Sequence, residues 1–147
     1  MTLTVGSLFS GIGGFSLGLE RTGGFETVAF CEYAEFPRKV LAKHWPDVPR
    51  YDDVRTINRD TLSAIDVLCG GYPCQPFSLA GARRGEHDPR HLWPHMLRAL
   101  RELRPRYVLV ENVPGLLAGR GGMGAVLGGL AALGYEIGRA SCRERVS

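Results

Sequence analysis

Four short apolar runs, at residues 3–9, 27–30, 65–69 and 107–110, most narrow what this chain can fold into. Apolar runs of about 4–8 residues bounded by turn residues read as buried strands, and the stretches between these carry helical spacing. Ser10-Gly11-Ile12-Gly13-Gly14 is a tight glycine turn that opens a helix through about residue 21, and a second helix is expected from about 34 to 44, with Pro46 and Pro49 at its exit. A brief third strand is expected near Asp53. After a polar loop at 79–90, the helical spacing of Leu92, Met96, Leu97, Leu100 and Leu103 leads into run 107–110, expected as a buried strand ending at Glu111-Asn112. Strands alternating with helices specify an α/β domain with a mostly parallel, doubly wound sheet and helices on both faces. The glycine-rich segment 119–129 is assigned no element, and no internal repeat is present.

Residues 70–78 read Gly-Gly-Tyr-Pro-Cys-Gln-Pro-Phe-Ser. They put Cys74 just past the carboxyl end of a strand, where α/β sheets do chemistry. Pro73 and Pro76 fix φ and stiffen the segment that presents the thiol. Taken alone, such a cysteine is as readily a packed small hydrophobe as a nucleophile.

Gly11 and Gly13 let backbone approach a ligand, and the start of the following helix offers free N–H groups. Glu32 ends the second strand about twenty residues after Gly11, the place of an acid that grips ribose hydroxyls in nucleotide-binding α/β units. Ser16 replaces the third glycine of the dinucleotide fingerprint, which weakens a nicotinamide cofactor and leaves room for S-adenosylmethionine. A plain strand-to-helix turn remains open at this point.

Composition narrows the classes further. The chain has 147 residues, enough for one domain, and a net charge of +3, which permits a nucleic-acid partner without demanding one. Cysteines at 31, 69, 74 and 142 make neither a CxxC pair nor a zinc spacing, and no metal site is expected. With no secretory leader and no apolar run near the ~20 residues of a membrane span, a reducing cytoplasm is the expected setting.

Phe9-Ser10-Gly11-Ile12-Gly13-Gly14, Glu32, Pro73-Cys74-Gln75-Pro76-Phe77-Ser78 and Glu111-Asn112-Val113, in this order and at these intervals, resemble the successive motifs of DNA cytosine-5 methyltransferases. The resemblance runs from residue 3 to about residue 135 and implies a Rossmann-like methyltransferase fold that uses S-adenosylmethionine. It implies Cys74 as the nucleophile that adds to cytosine C6, Glu111 as the acid at N3, and Asn112 as a residue that fixes the Cys74 loop, with Gln75 counted in the same catalytic group. For the cofactor it implies Phe9, Gly11, Gly13, Glu32, Tyr33, the Asp53-Val54 pair, Pro73 and Leu92. Asp52 leaves the register of the Asp53-Val54 pair open by one position, and Leu92 also fits a plain core residue. For DNA it implies Ser78, Arg83, Arg84 and Arg90 on or beside the loop at 79–90, closing over a duplex whose target cytosine is extruded. A solvated charge run would equally account for Arg83 and Arg84 singly. A bacterial, monomeric modification enzyme, with a cognate restriction endonuclease at the level of the system, completes the expectation. A nicotinamide-dependent oxidoreductase and a non-catalytic DNA-binding relative are the alternatives.

The resemblance breaks after Leu133-Gly134-Tyr135. The family continues into a target-recognition region and a final helix that closes the cofactor pocket, so an incomplete domain at 1–135 is expected. Residues 136–147 can be back-translated to a common sequencing-library adapter, which makes them an expected read-through tail. A native gene encoding the same tail and stop would overturn that expectation.

Overall fold

The structure, a computed structural model, describes residues 1–73, 92–112 and 122–138. Its elements are β1 (Leu3–Leu8), α1 (Gly14–Glu20), β2 (Phe25–Cys31), α2 (Glu35–His44), β3 (Arg50–Tyr51), a 3₁₀ turn (Val54–Thr56), β4 (Val67–Gly70), α3 (Trp93–Leu103), β5 (Tyr107–Val110) and α4 (Gly122–Ala132). The strands form one parallel sheet in the order β3-β2-β1-β4-β5. The order reverses between β1 and β4, and in such sheets ligands bind beyond the carboxyl ends of the strands at the reversal.

Alternation of side chains along the strands builds two cores. On one face Leu8, Ala29, Cys31 and Leu68 meet Trp93, Met96 and Leu100 of α3 and Val126 of α4. On the other, Val5, Val67 and Cys69 meet Phe15 and Leu19 of α1. Trp45, which ends α2, sets its ring 5.1 Å from that of Phe30, on the α1 side of the sheet. A bulge lets β2 serve both cores: pairing passes from Val5↔Thr27 to Gly6↔Ala29, skipping Val28. The extra residue moves Ala29 to the α3 face, which strict alternation would deny it.

Several expected boundaries shift. β1 stops at Leu8 because Phe9 takes a left-handed φ of 52°. β2 extends the expected 27–30 in both directions, and β4 lies later than 65–69 because Ile65 packs in the core ahead of the strand. β5 is a half-buried strand and not the buried one expected. Tyr107 and Leu109 are 44% and 39% exposed, while Val108 and Val110 pack on the α3 face. α4 forms where no element was assigned, with Gly129 set against Leu97 and Trp93 of α3.

Candidate active site

Of the expected cofactor residues, Phe9, Gly11, Gly13, Glu32 and Tyr33 lie where β1 and β2 end. The Ser10 hydroxyl donates to the Ser7 carbonyl at 2.8 Å and accepts from the Cys31 N–H at 3.2 Å, clamping the two strand ends together. The Glu32 carboxylate then accepts the Gly11 N–H and the Ala34 N–H, each at 2.8 Å, so both its oxygens are oriented by backbone. The Ser10, Gly11 and Gly13 amides of the turn are thus engaged within the protein, with the Gly13 N–H donating to the Ser10 carbonyl at 2.9 Å. Gly11 and Gly13 both have positive φ, but their surroundings differ. A Cβ on Gly11 would meet nothing within 4 Å, whereas one on Gly13 would lie 2.7 Å from the Trp45 ring. Gly11 thus presents the open side of the turn, and Gly13 lies against its own core. Trp45 was not singled out from sequence, because its contact with Gly13 joins segments more than thirty residues apart.

Tyr33 is 82% exposed beside Glu32. Phe9 is half-buried against the α3-side core, as is Leu92. Val54 is buried in that core, while Pro73 is exposed. Asp53 caps the 3₁₀ turn by accepting the Arg55 N–H, and its carboxylate grips the Arg55 guanidinium through both oxygens. Those hydrogen bonds hold its pKa down to about 2. Asp52 instead pairs with Arg38 at 3.5 Å. Arg98 of α3 donates to the Val54 carbonyl at 2.9 Å and fastens the turn to the helix.

The expected catalytic residues belong to the next two strand ends. The Glu111 N–H donates to the Gly70 carbonyl at 3.1 Å, and Asn112 Nδ2 donates to the Tyr72 carbonyl at 3.4 Å. These bonds tie the exit of β5 to the exit of β4, along the segment that runs on to Pro73 and Cys74. Cys74, Gln75, Ser78, Arg83, Arg84 and Arg90 lie outside the described residues, as does Cys142. Cys31 and Cys69 are buried, and burial pushes their thiols well above the ordinary range. Neither is suited to act as a thiolate near neutrality.

A cavity of about 280 Å³ lined by Arg59, Leu62, Ser63, Ala64 and Leu103 lies at the opposite end of the sheet, before β4 and β5 begin. It is remote from these residues. Among the described residues no group of three or more His, Cys, Asp or Glu could hold a metal ion, and no helix is long and apolar enough to cross a membrane.

A parallel sheet of this order, with a glycine turn after β1 and an acid just past β2, is a Rossmann-like arrangement. Solved structures agree. A prophage-encoded protein of E. coli, described as a DNA modification methyltransferase, matches with a TM-score of 0.73 and 32% identity over 88% of this chain and 37% of its own. The S. pombe Dnmt2 methyltransferase matches in fold, with a TM-score of 0.70 and 23% identity over 88% of this chain and 42% of its own. The chain belongs to the C-5 cytosine-specific DNA methylase family, whose profile matches residues 3–140.

Among curated relatives, the Type II methyltransferase M.HgiCII of Herpetosiphon aurantiacus is 38% identical over 136 residues, covering 88% of this chain and 30% of the relative. M.NgoMIV of Neisseria gonorrhoeae is 40% identical over 118 residues, covering 80% of this chain and 38% of the relative. The chain thus spans about a third of the length of these curated relatives.

Proposed function

We propose that residues 1–135 are the cofactor-binding and catalytic part of an enzyme that methylates C5 of cytosine in duplex DNA. The observation that carries this reading is the tie between strand exits. Glu111 bonds to Gly70, four residues before Cys74, which brings an acid and the segment leading to a thiol to one sheet edge.

The ends of β1 and β2 suit S-adenosylmethionine. Glu32 offers an oriented carboxylate to vicinal hydroxyls, Gly11 leaves space for close approach, and Tyr33 offers an exposed ring. Bound there, S-adenosylmethionine supplies an activated methyl group. In this reading Asp53 and Val54 face the adenine edge, with Phe9, Pro73 and Leu92 completing the walls and Gly13 bending the turn backbone toward the cofactor.

Cytosine C5 is a weak nucleophile. The Cys74 thiolate forms a bond to C6, and the electron pair of the C5–C6 double bond moves to C5 while Glu111 holds a proton at N3. Once C5 is methylated, loss of its proton restores the double bond and expels the thiolate. Gln75 and Asn112 keep the Cys74 segment in place. Ser78, Arg83, Arg84 and Arg90 hold phosphates around an extruded base. The chain spans about a third of its curated relatives, so the reaction is assigned to the complete enzyme. The complete enzyme is a monomeric cytoplasmic protein of a bacterial restriction-modification system.

Titration of the chain with S-adenosylhomocysteine and with NAD tests the cofactor. Binding of the first alone is expected, and Glu32→Ala should weaken it by roughly 10- to 100-fold, the scale of losing hydrogen bonds to a charged group. Binding of NAD alone overturns the reading. With the carboxyl-terminal half of a relative restored, DNA containing 5-fluorocytosine should trap a covalent adduct that Cys74→Ala abolishes. DNA binding with no adduct would favour a non-catalytic relative.

A further inference from the structure

Gly70 and Gly71 stand side by side at the end of β4, and the space each leaves empty differs in kind. A Cβ on Gly70 would lie 2.6 Å from the Leu8 carbonyl oxygen of the neighbouring strand. A Cβ on Gly71 would lie 2.7 Å from Glu111 Oε2, with the next nearest atoms, the Glu111 carbonyl oxygen and Cβ, at 3.6 and 3.8 Å. Gly71 is not among the residues with positive φ, so its backbone conformation does not itself call for glycine. Hydrogen bonds on either side, Glu111 N–H to Gly70 and Asn112 Nδ2 to Tyr72, hold the two strand exits together and leave the Glu111 side chain lying across the Gly71 α-carbon.

We propose that Gly71 is a positioning residue: the absence of its side chain is the space in which the Glu111 carboxylate stands. The inference deepens the proposed reaction and rests on Glu111 as the acid at cytosine N3. An added methyl at Gly70 meets backbone, which cannot yield without moving a strand. One at Gly71 meets the far end of a flexible side chain, which rotates away while the fold stays. Gly71→Ala therefore turns the carboxylate from the edge shared with the Cys74 segment without taking away any group that reacts.

The test is a double-mutant cycle in the chain of 147 residues, with Gly71→Ala, Glu111→Ala and the pair, and Gly70→Ala as the contrast. Thermal unfolding and the carboxyl-carbon and γ-carbon resonances of Glu111 are the readouts. Gly71→Ala should shift the Glu111 side-chain resonances and leave its amide protected from exchange. Its effect on the melting temperature should vanish when Glu111 is already Ala, whereas Gly70→Ala should destabilise equally in both backgrounds. Unmoved Glu111 resonances, or an equal loss from Gly71→Ala with and without the Glu111 side chain, overturn the proposal. If Gly71→Ala does not fold, the pair decides: a folded pair supports the steric account and an unfolded one refutes it. Failure of the catalytic reading would appear elsewhere, as full adduct formation by a restored enzyme carrying Glu111→Gln.

Discussion

At Cys31 and Cys69 burial raises the thiol pKa to about 12 and about 11 respectively, with the Asp53, Glu32 and Asp52 charges adding to the effect at Cys31. An unfolded thiol ionises near 8.5. Above about pH 8.5 the unfolded chain releases protons that the folded chain keeps, so these groups make stability fall as pH rises, up to about pH 11. The loss reaches at most ~1.4 kcal/mol per pH unit for each thiol. Denaturant unfolding under reducing conditions should show this decline, and Cys69→Ala should flatten it; an unchanged slope would mean that the thiol is not protected. The sequence shows these cysteines beside Cys74 without distinction, because burial depends on the helices that cover the sheet: Cys31 packs on the α3 side and Cys69 on the α1 side.

Helices α1 and α2 and strand β2 meet at one carboxylate. Glu20 accepts the Thr27 N–H through Oε1 at 3.1 Å and the Trp45 Nε1–H through Oε2 at 2.9 Å. Trp45 in turn fills the space behind Gly13. Glu20→Gln keeps one acceptor for two donors and should cost about 1–3 kcal/mol. In a Trp45→Phe background one donor is gone, so the same substitution should cost less; equal costs in both backgrounds would show that the two contacts are independent. β1, β2, β4 and β5 were legible because each is a local run closed by glycine or charge, whereas β3 is only Arg50–Tyr51 and Asp53, where a strand was expected, caps the 3₁₀ turn instead. α4 was not, since Gly122, Gly124, Gly128 and Gly129 lower helix propensity and its support comes from distant contacts. Gly129 lies against Trp93 and Leu97, and the Tyr135 hydroxyl donates to the Pro105 carbonyl at 2.7 Å. Likewise Glu32 was readable from its spacing, whereas its bonds to Gly11 and Ala34 follow from how two strand ends are clamped.

The described sheet ends at β5, which pairs with β4 alone among the described strands. Its outer face carries Tyr107 and Leu109 in solvent, and an apolar edge strand is a template for association. Leu109→Lys should leave the melting temperature within a few degrees and lower self-association in sedimentation, since surface substitutions usually stay within about 0.5 kcal/mol. A chain equally associated with and without the lysine would place the sticky surface elsewhere. The hydrophobic pattern showed a strand at 107–110 but not that Tyr107 and Leu109 stay partly exposed, a property of the assembled sheet.

β1 and β4 are also direct partners, paired from Val5↔Val67 to Leu8↔Gly70. In the proposed reaction the methyl donor belongs to the β1 side and the accepting base to the β4 side. Adjacent strands stand ~4.8 Å apart, a spacing maintained by backbone hydrogen bonds and insensitive to surface sequence. The sheet then acts as a fixed gauge between donor and acceptor, so that loops can diverge to choose different DNA targets while the distance a methyl group must cross stays the same.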